Sequence, residues 1–220
     1  MKHSAAEIAQ ILLEAGAVAL SPARPFRFAS GILSPVYCDN RLLLGQVSAR
    51  KAIAAALAER VEEEIVSAEV IAGTATAGIP WAAWVAGHAS LPMVYVRSGA
   101  KKHGRGQQVE GGLQAGQRVV LIEDLVSTGG SALDAVAALR QLDASVSDCC
   151  CIFSYEMADS AQRFGAAGVR LLPLTTLGAL LEVAASQNYI QPEHRELIAD
   201  WAADPAGWAV RAGLDAEGTV

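Results

Sequence analysis

The sequence is short of charge, of cysteine and of any positive excess, and each shortage closes off a class of protein. Only 18% of the 220 residues are charged, whereas 52% are apolar. A disordered chain would reverse that balance, so the composition fits a folded domain with a sizeable core. The net charge of −6 argues against a general nucleic-acid binder, while leaving room for a local basic site. No apolar run reaches the length of a membrane span. The start does not read as an export signal either, because Glu7 and Glu14 interrupt the apolar pattern between Met1 and Gly16. Cysteine is confined to Cys38 and the run Cys149, Cys150, Cys151. Successive residues of a strand face opposite ways, so that run cannot close around one metal, and no histidine stands near it. The thiols are expected to be small buried hydrophobes in a reducing cytoplasm. Internal repeats and low-complexity linkers are also missing, so residues 1–220 are read as a single domain.

What is present has a clear rhythm. Ser4, with Glu7 three residues on, can cap a first helix to about Gly16. Pro22, Pro25 and Pro35 punctuate a loop-rich stretch in which Phe26–Phe28 and Val36–Asp39 are predicted as short strands joined through Ser30-Gly31. Gln46 to about Glu64 is alanine-rich and helical. Beyond it, apolar runs at Glu69–Ala72, Met93–Arg97, Arg118–Glu123, Val146–Tyr155 and Arg170–Leu174 alternate with helical patterns at Ile79–His88, Gly130–Leu142 and Asp159–Ala167. Continuous apolar runs suit strands covered on both faces. The expected fold is α/β, an open and mostly parallel sheet flanked by helices. Residues 1–45 stand outside that rhythm and are expected to form most of a small N-terminal cap, or hood, over the sheet's C-terminal edge. Thr175–Gln187 and Pro192–Ala203 read as closing helices.

In such sheets ligands sit beyond the carboxyl ends of the strands. There the strand Val119-Val120-Leu121-Ile122 leads into Glu123-Asp124, Leu125-Val126 and Ser127-Thr128-Gly129-Gly130-Ser131. The hydroxyls, the two glycines and a helix starting near Gly130 make a cradle for a phosphate dianion. The Gly-Lys-Ser/Thr ending of a nucleotide-triphosphate loop is missing. Two carboxylates would repel the phosphate itself, but they suit the hydroxyls of a sugar attached to it, or a Mg²⁺ beside it. The stretch therefore reads as a ribose 5-phosphate site.

This run resembles the phosphoribosyl-diphosphate motif of type I phosphoribosyltransferases. Three more stretches resemble the orotate phosphoribosyltransferases within them: Phe28 through Ser30, Gly31 and Pro35 to Arg41; Gly73-Thr74-Ala75-Thr76-Ala77-Gly78; and Tyr95-Val96-Arg97 through Lys101-Lys102-His103-Gly104 to Glu110-Gly111. The resemblance covers most of the chain. It implies the type I phosphoribosyltransferase fold and transfer of a phosphoribosyl group from 5-phosphoribosyl 1-diphosphate to orotate, with Mg²⁺, in pyrimidine biosynthesis. The sugar diphosphate would meet Glu123 through Ser131, including Leu125 and Val126, together with Thr76 and Ala77. Backbone strain is implied near Thr76-Ala77. Arg97, Lys101 and His103 would cover the diphosphate as catalytic residues, on a mobile basic loop that reaches into the neighbouring subunit of a homodimer. Orotate would lie against Ser30, Gly31 and Ser127. No side chain would bind Mg²⁺ directly, Asp124 being the candidate to reach it through water.

The chain departs from some members. Ala29, Ala77 and Ser98 stand where those carry lysine, Ser127 where many carry threonine, and Tyr155 where some place an arginine for the orotate carboxylate. Another branch shares these features. Here the carboxylate is expected to lean on backbone N–H groups near Ser30-Gly31 and on the Ser127 hydroxyl. Asp39 and Arg41 fit either a structural ion pair or the base site. A purine phosphoribosyltransferase is the rival within enzymes, and a sensor of the sugar diphosphate is the rival outside them.

Overall fold

The computed structural model describes residues 3–28, 31–65, 67–99 and 108–214. Helix α1 (Ala5–Glu14) starts at the predicted capping box, with Ser4 Oγ accepting from the Glu7 N–H and the Glu7 carboxylate accepting from the Ser4 N–H. Short strands β1 (Val18–Leu20), β2 (Phe26–Arg27), β3 (Leu33–Ser34) and β4 (Val36–Cys38) follow, then a 3₁₀ turn at Asn40–Gly45 and helix α2 (Val47–Glu64). The rest alternates: β5 (Val70–Thr74), α3 (Gly78–Ala89), β6 (Met93–Val96), β7 (Val109–Glu110), β8 (Arg118–Val126), α4 (Gly130–Arg140), β9 (Ser145–Ser154), α5 (Ala158–Ala166) and β10 (Arg170–Thr176). Helices α6 (Leu177–Ser186), α7 (Pro192–Ala203) and the short α8 (Trp208–Arg211) close the chain. No helix among the described residues is long and apolar enough to cross a membrane.

The main sheet has the order β10-β9-β8-β5-β6-β7, with every pairing parallel except β6–β7. Its two faces carry separate cores. Ala132, Ala135 and Leu139 of α4 and Phe164 of α5 pack with Val94, Leu121 and Cys149 on one side. Ile8, Leu57, Trp81 and Leu180, from α1, α2, α3 and α6, pack with Ile71, Val120 and Cys150 on the other. Covered faces explain the continuous apolar strands. All four cysteines are free and buried, so three of them serve as core of β9.

Two expectations need correction. Phe26 does not pair with the Val36–Cys38 strand. It pairs with Ser34 of β3, while β4 pairs antiparallel with β1. Pro35, which has no N–H to give a ladder, separates β3 from β4, and its carbonyl accepts from the Ser21 N–H instead. The hood is thus two small ribbons, and α1 packs below it on α6 and β10. Second, β8 does not stop at the acids. It stays paired with β9 as far as Val126↔Ser154, so Glu123 and Asp124 lie inside a strand.

Candidate active site

The order of the sheet creates the site. β5 and β8 are neighbours, yet the chain leaves β5 through α3 on one face and β8 through α4 on the other. Their C-terminal ends therefore part at a topological switch point, where open α/β sheets bind ligands. Both helices start at this crevice, and no side chain caps either one. The first-turn N–H groups of α4 thus face it from one side and the Gly78 N–H from the other, each at the positive end of a helix dipole; Pro80 has no N–H, and that of Ile79 donates to the Thr76 carbonyl.

On the α4 side, Ser127 and Thr128 lead to Gly129, which holds φ at +80° as the N-terminal cap. A side chain there would meet strain and a wall, since an added Cβ would lie 2.7 Å from the Phe164 ring. The Leu133 N–H already donates to the Gly129 carbonyl. The N–H groups of Gly130, Ser131 and Ala132 are the ones that geometry leaves for an anion. Ser127 is half-buried, while Thr128 and Ser131 are exposed at the mouth. Leu125 and Val126 support the loop from below; the Val126 side chain is in the core.

The two acids differ sharply. Glu123 is only 4% exposed. One of its oxygens accepts from the Asp124 N–H at 3.1 Å, and the other is buried with no hydrogen-bond partner. Strand pairing of Gly73 with Ile122 brings Thr74 alongside it, and the Thr74 hydroxyl is likewise buried and unpartnered. Burial, and then the Asp124 charge, push the Glu123 carboxyl well above its ordinary value. Asp124 is half-buried and raised as well, mainly by burial. Asp124 is thus the more accessible carboxylate, and Glu123 lies behind it as a buried polar brace.

On the α3 side, β5 runs into a turn with a cis peptide at Ala75–Thr76, one bond before the expected Thr76-Ala77. Thr76 is exposed and Ala77 precedes α3. Gly78 lets this turn lie against β8, because a Cβ there would stand 2.6 Å from the Ile122 carbonyl oxygen. Arg97 follows β6. Its N–H donates to the Gln108 carbonyl, Gln108 Nε2 returns a bond to the Arg97 carbonyl, and its guanidinium stands 3.8 Å from Glu110. The two ends of the basic loop are therefore pinned side by side. Lys101, Lys102, His103 and Arg105 lie outside the described residues, as do Ala29 and Ser30.

Sequence reasoning missed the link between hood and crevice. Asn40 is fully buried, and its Nδ2 donates to the Asp124 carbonyl at 2.7 Å. No periodicity marks an asparagine at the start of a 3₁₀ turn; the only signal was its place between Asp39 and Arg41. Those two close a bidentate ion pair at 2.6 and 2.8 Å. At the tip of the β2–β3 ribbon, the Gly31 N–H donates to the Phe28 carbonyl, closing the turn proposed to hold a base. Tyr155 is buried between Phe153 and Trp201, and burial holds its phenol far above its ordinary value. It stays neutral and cannot replace a cation. Trp81 is core, whereas Trp84 is partly exposed beneath the Arg50 guanidinium.

A crevice with two anion cradles flanking an accessible acid suits a sugar that carries phosphate at one end and diphosphate at the other. The family comparison agrees: the phosphoribosyl transferase domain matches residues 44–167. An orotate phosphoribosyltransferase of Listeria monocytogenes is 50% identical over 202 residues, covering 92% of this chain and 97% of the relative. One from Enterococcus faecalis is 47% identical over 94% of this chain and 99% of its own length. The crystal structure of orotate phosphoribosyltransferase from Aeropyrum pernix superposes with a TM-score of 0.72 at 32% identity, over 83% of this chain and 99% of that one. The chain belongs to the orotate phosphoribosyltransferase family.

Two outcomes follow from the geometry. A carboxyl raised by folding favours the folded state while protonated. Its contribution is complete below the unfolded value of 4.5 and is lost as pH rises from there. Glu123→Gln keeps the shape without ionising, so its melting temperature should gain on wild type between about pH 5 and about pH 9. Parallel pH profiles would show that folding leaves the Glu123 carboxyl at its ordinary value. Gly129→Ala should cost about 1–3 kcal/mol of stability and weaken phosphate binding measured by calorimetry. Unchanged phosphate affinity would remove Gly129 from the cradle.

Proposed function

We propose that the protein transfers the 5-phosphoribosyl group of 5-phospho-α-D-ribose 1-diphosphate to orotate, releasing pyrophosphate and forming orotidine 5′-phosphate, a step of cytoplasmic pyrimidine biosynthesis. The observation that carries the reading is the pair of uncapped helix N-termini facing one crevice across Asp124.

Breaking the bond at C1′ builds positive charge on the ribose and negative charge on the leaving diphosphate. Such a reaction asks for positioning and for donors that bind the leaving group more tightly as its charge grows. The Ser127–Ser131 loop and α4 hold the 5′-phosphate, and Asp124 takes the ribose hydroxyls. The Thr76-Ala77 turn and Gly78 at the start of α3 offer N–H groups to the diphosphate, and Arg97 stands at the root of the basic loop. Lys101 and His103 cover the diphosphate when that loop closes and excludes water. No three-carboxylate or histidine cluster fit for a metal exists among the described residues. Asp124, half-buried at the crevice, would hold through water a Mg²⁺ that arrives with the diphosphate, and the ion would supply charge neutralisation to the leaving group. The base lies under the hood against Ser30-Gly31 and Ser127. With Tyr155 neutral, the orotate carboxylate relies on backbone N–H groups of that turn and the Ser127 hydroxyl. The acting unit is a homodimer that shares the basic loop between subunits.

Purified protein should bleach the ultraviolet absorbance of orotate only when both the sugar diphosphate and Mg²⁺ are added, and should leave uracil, adenine and hypoxanthine untouched. Turnover of a purine instead would keep the phosphate cradles and discard the hood reading. Tight binding without turnover of any base would indicate a sensor. In the active enzyme Lys101→Ala should lower kcat about a hundredfold. A rise in KM alone would make Lys101 a ground-state binder.

A further inference from the structure

Most of the hood is made of two-residue and three-residue strands, too short to hold a ligand-binding tip in place by their own ladders. Something outside the hood must set its height over the sheet. On the side facing Asp124 that role falls to Asn40. On the other side the structure offers Trp201, from helix α7, far along the chain and outside the span of the matched domain.

The Trp201 indole is fully buried. Its Nε1 donates to the carbonyl of Leu33 on β3 at 3.0 Å, joining residues 168 positions apart. Its ring meets Phe28 edge-on at 6.2 Å, and Phe28 provides the carbonyl that closes the base-binding turn. Its other side meets Tyr155 at 5.5 Å, directly beyond the end of β9. Tyr37 extends the same chain of rings through Phe26 and Phe28 across the hood. Along the same helix, Ala199, Ala202 and Ala203 border a cleft of about 270 Å³ shared with Tyr155 and Leu181. That cleft lies between α7, α6 and the turn after β9, and from its edge the indole reaches past Tyr155 to the hood.

We propose that Trp201 is a positioning residue for the base: it ties the β2–β3 ribbon to the end of β9 and so fixes Gly31, in the turn at the ribbon's tip, at the height the orotate ring requires. The proposal rests on orotate being the base held by that turn. It acts on the base, since the Trp201 indole meets Leu33 and Phe28 of the hood and Tyr155. Losing the indole N–H leaves a buried carbonyl without its donor and lets the ribbon drift.

The test is steady-state kinetics of the full-length protein with each substrate varied in turn. Trp201→Phe should raise KM for orotate about tenfold while KM for the sugar diphosphate stays within about twofold. Trp208→Phe is the control. Trp208 is as deeply buried and also donates its N–H, to the Leu197 carbonyl at 2.9 Å, but among the described residues it makes no ring contact with the hood. It should lower the melting temperature without moving KM for orotate. Should Trp201→Phe not fold, Phe28→Leu cuts the same ring chain from the hood and should shift the same constant alone. A uniform loss of affinity for both substrates, or an unchanged KM for orotate in a folded Trp201→Phe protein, overturns the positioning role and leaves the reaction intact. Wild-type protein that consumes no orotate overturns the assigned reaction first, and the role with it.

Discussion

Two parallel strands that are neighbours in the sheet, but whose chains depart to opposite faces, set the terms for everything else in this protein. Because β5 and β8 part at their C-terminal ends, the turns after them cannot pack on each other and a crevice opens between. Because each turn starts a helix, that crevice is faced from two directions by positive dipole ends, with the first-turn N–H groups of α4 on one side and that of Gly78 on the other. A single anion would satisfy one side only. A substrate with two phosphate groups spaced along a sugar satisfies both, and Gly78 and Gly129 are glycine because side chains there would push the two cradles away from β8 and α5.

An acid in the wall of an anion site needs a reason, and the strand supplies two different ones. Asp124 stays partly open to the crevice, where sugar hydroxyls and a water-shelled cation are suitable partners. Glu123 is inside, with one oxygen bound to the next backbone N–H and the other alone beside the lone Thr74 hydroxyl. A charge held there without a partner would cost several kcal/mol, so the group keeps its proton. Neutral, it adds no repulsion to a nearby diphosphate. Burial thus works against a second negative charge beside the substrate.

Much of this architecture was legible in the sequence, for reasons that also explain what was not. Strands covered on both faces announce themselves as continuous apolar runs, and five of the six main-sheet strands are found within a few residues of their predicted bounds. The phosphate cradle was legible because glycines and hydroxyls after an apolar strand have few other uses. The hood was expected, but the pairing of strands within it was not legible, because two-residue strands carry no period and their pairing depends on where Pro35 withholds an N–H. The reach of β8 through the acids was hidden too, since only pairing with β9 keeps two carboxylates in a ladder. Asn40 and Trp201 each act through one long-range bond to a carbonyl. Composition and spacing do not encode such bonds, although an indole N–H in a buried position always requires an acceptor.

The replacement of a cation by Tyr155 ties these threads together. An arginine at the end of β9 would meet the orotate carboxylate directly, and its long arm would tolerate some freedom in the hood. A buried neutral phenol gives no such long-range attraction. The carboxylate must then be held by N–H and O–H dipoles, whose strength falls off within a few tenths of an ångström and a few tens of degrees. Recognition by dipoles demands a rigid frame. The same tyrosine helps to build one, since its ring, locked against Phe153 and Trp201, continues the aromatic chain into the hood. On the proposed base site, a packed ring stands where an arginine would offer a charged contact, and base recognition would rest on geometry held from behind in place of attraction at a distance.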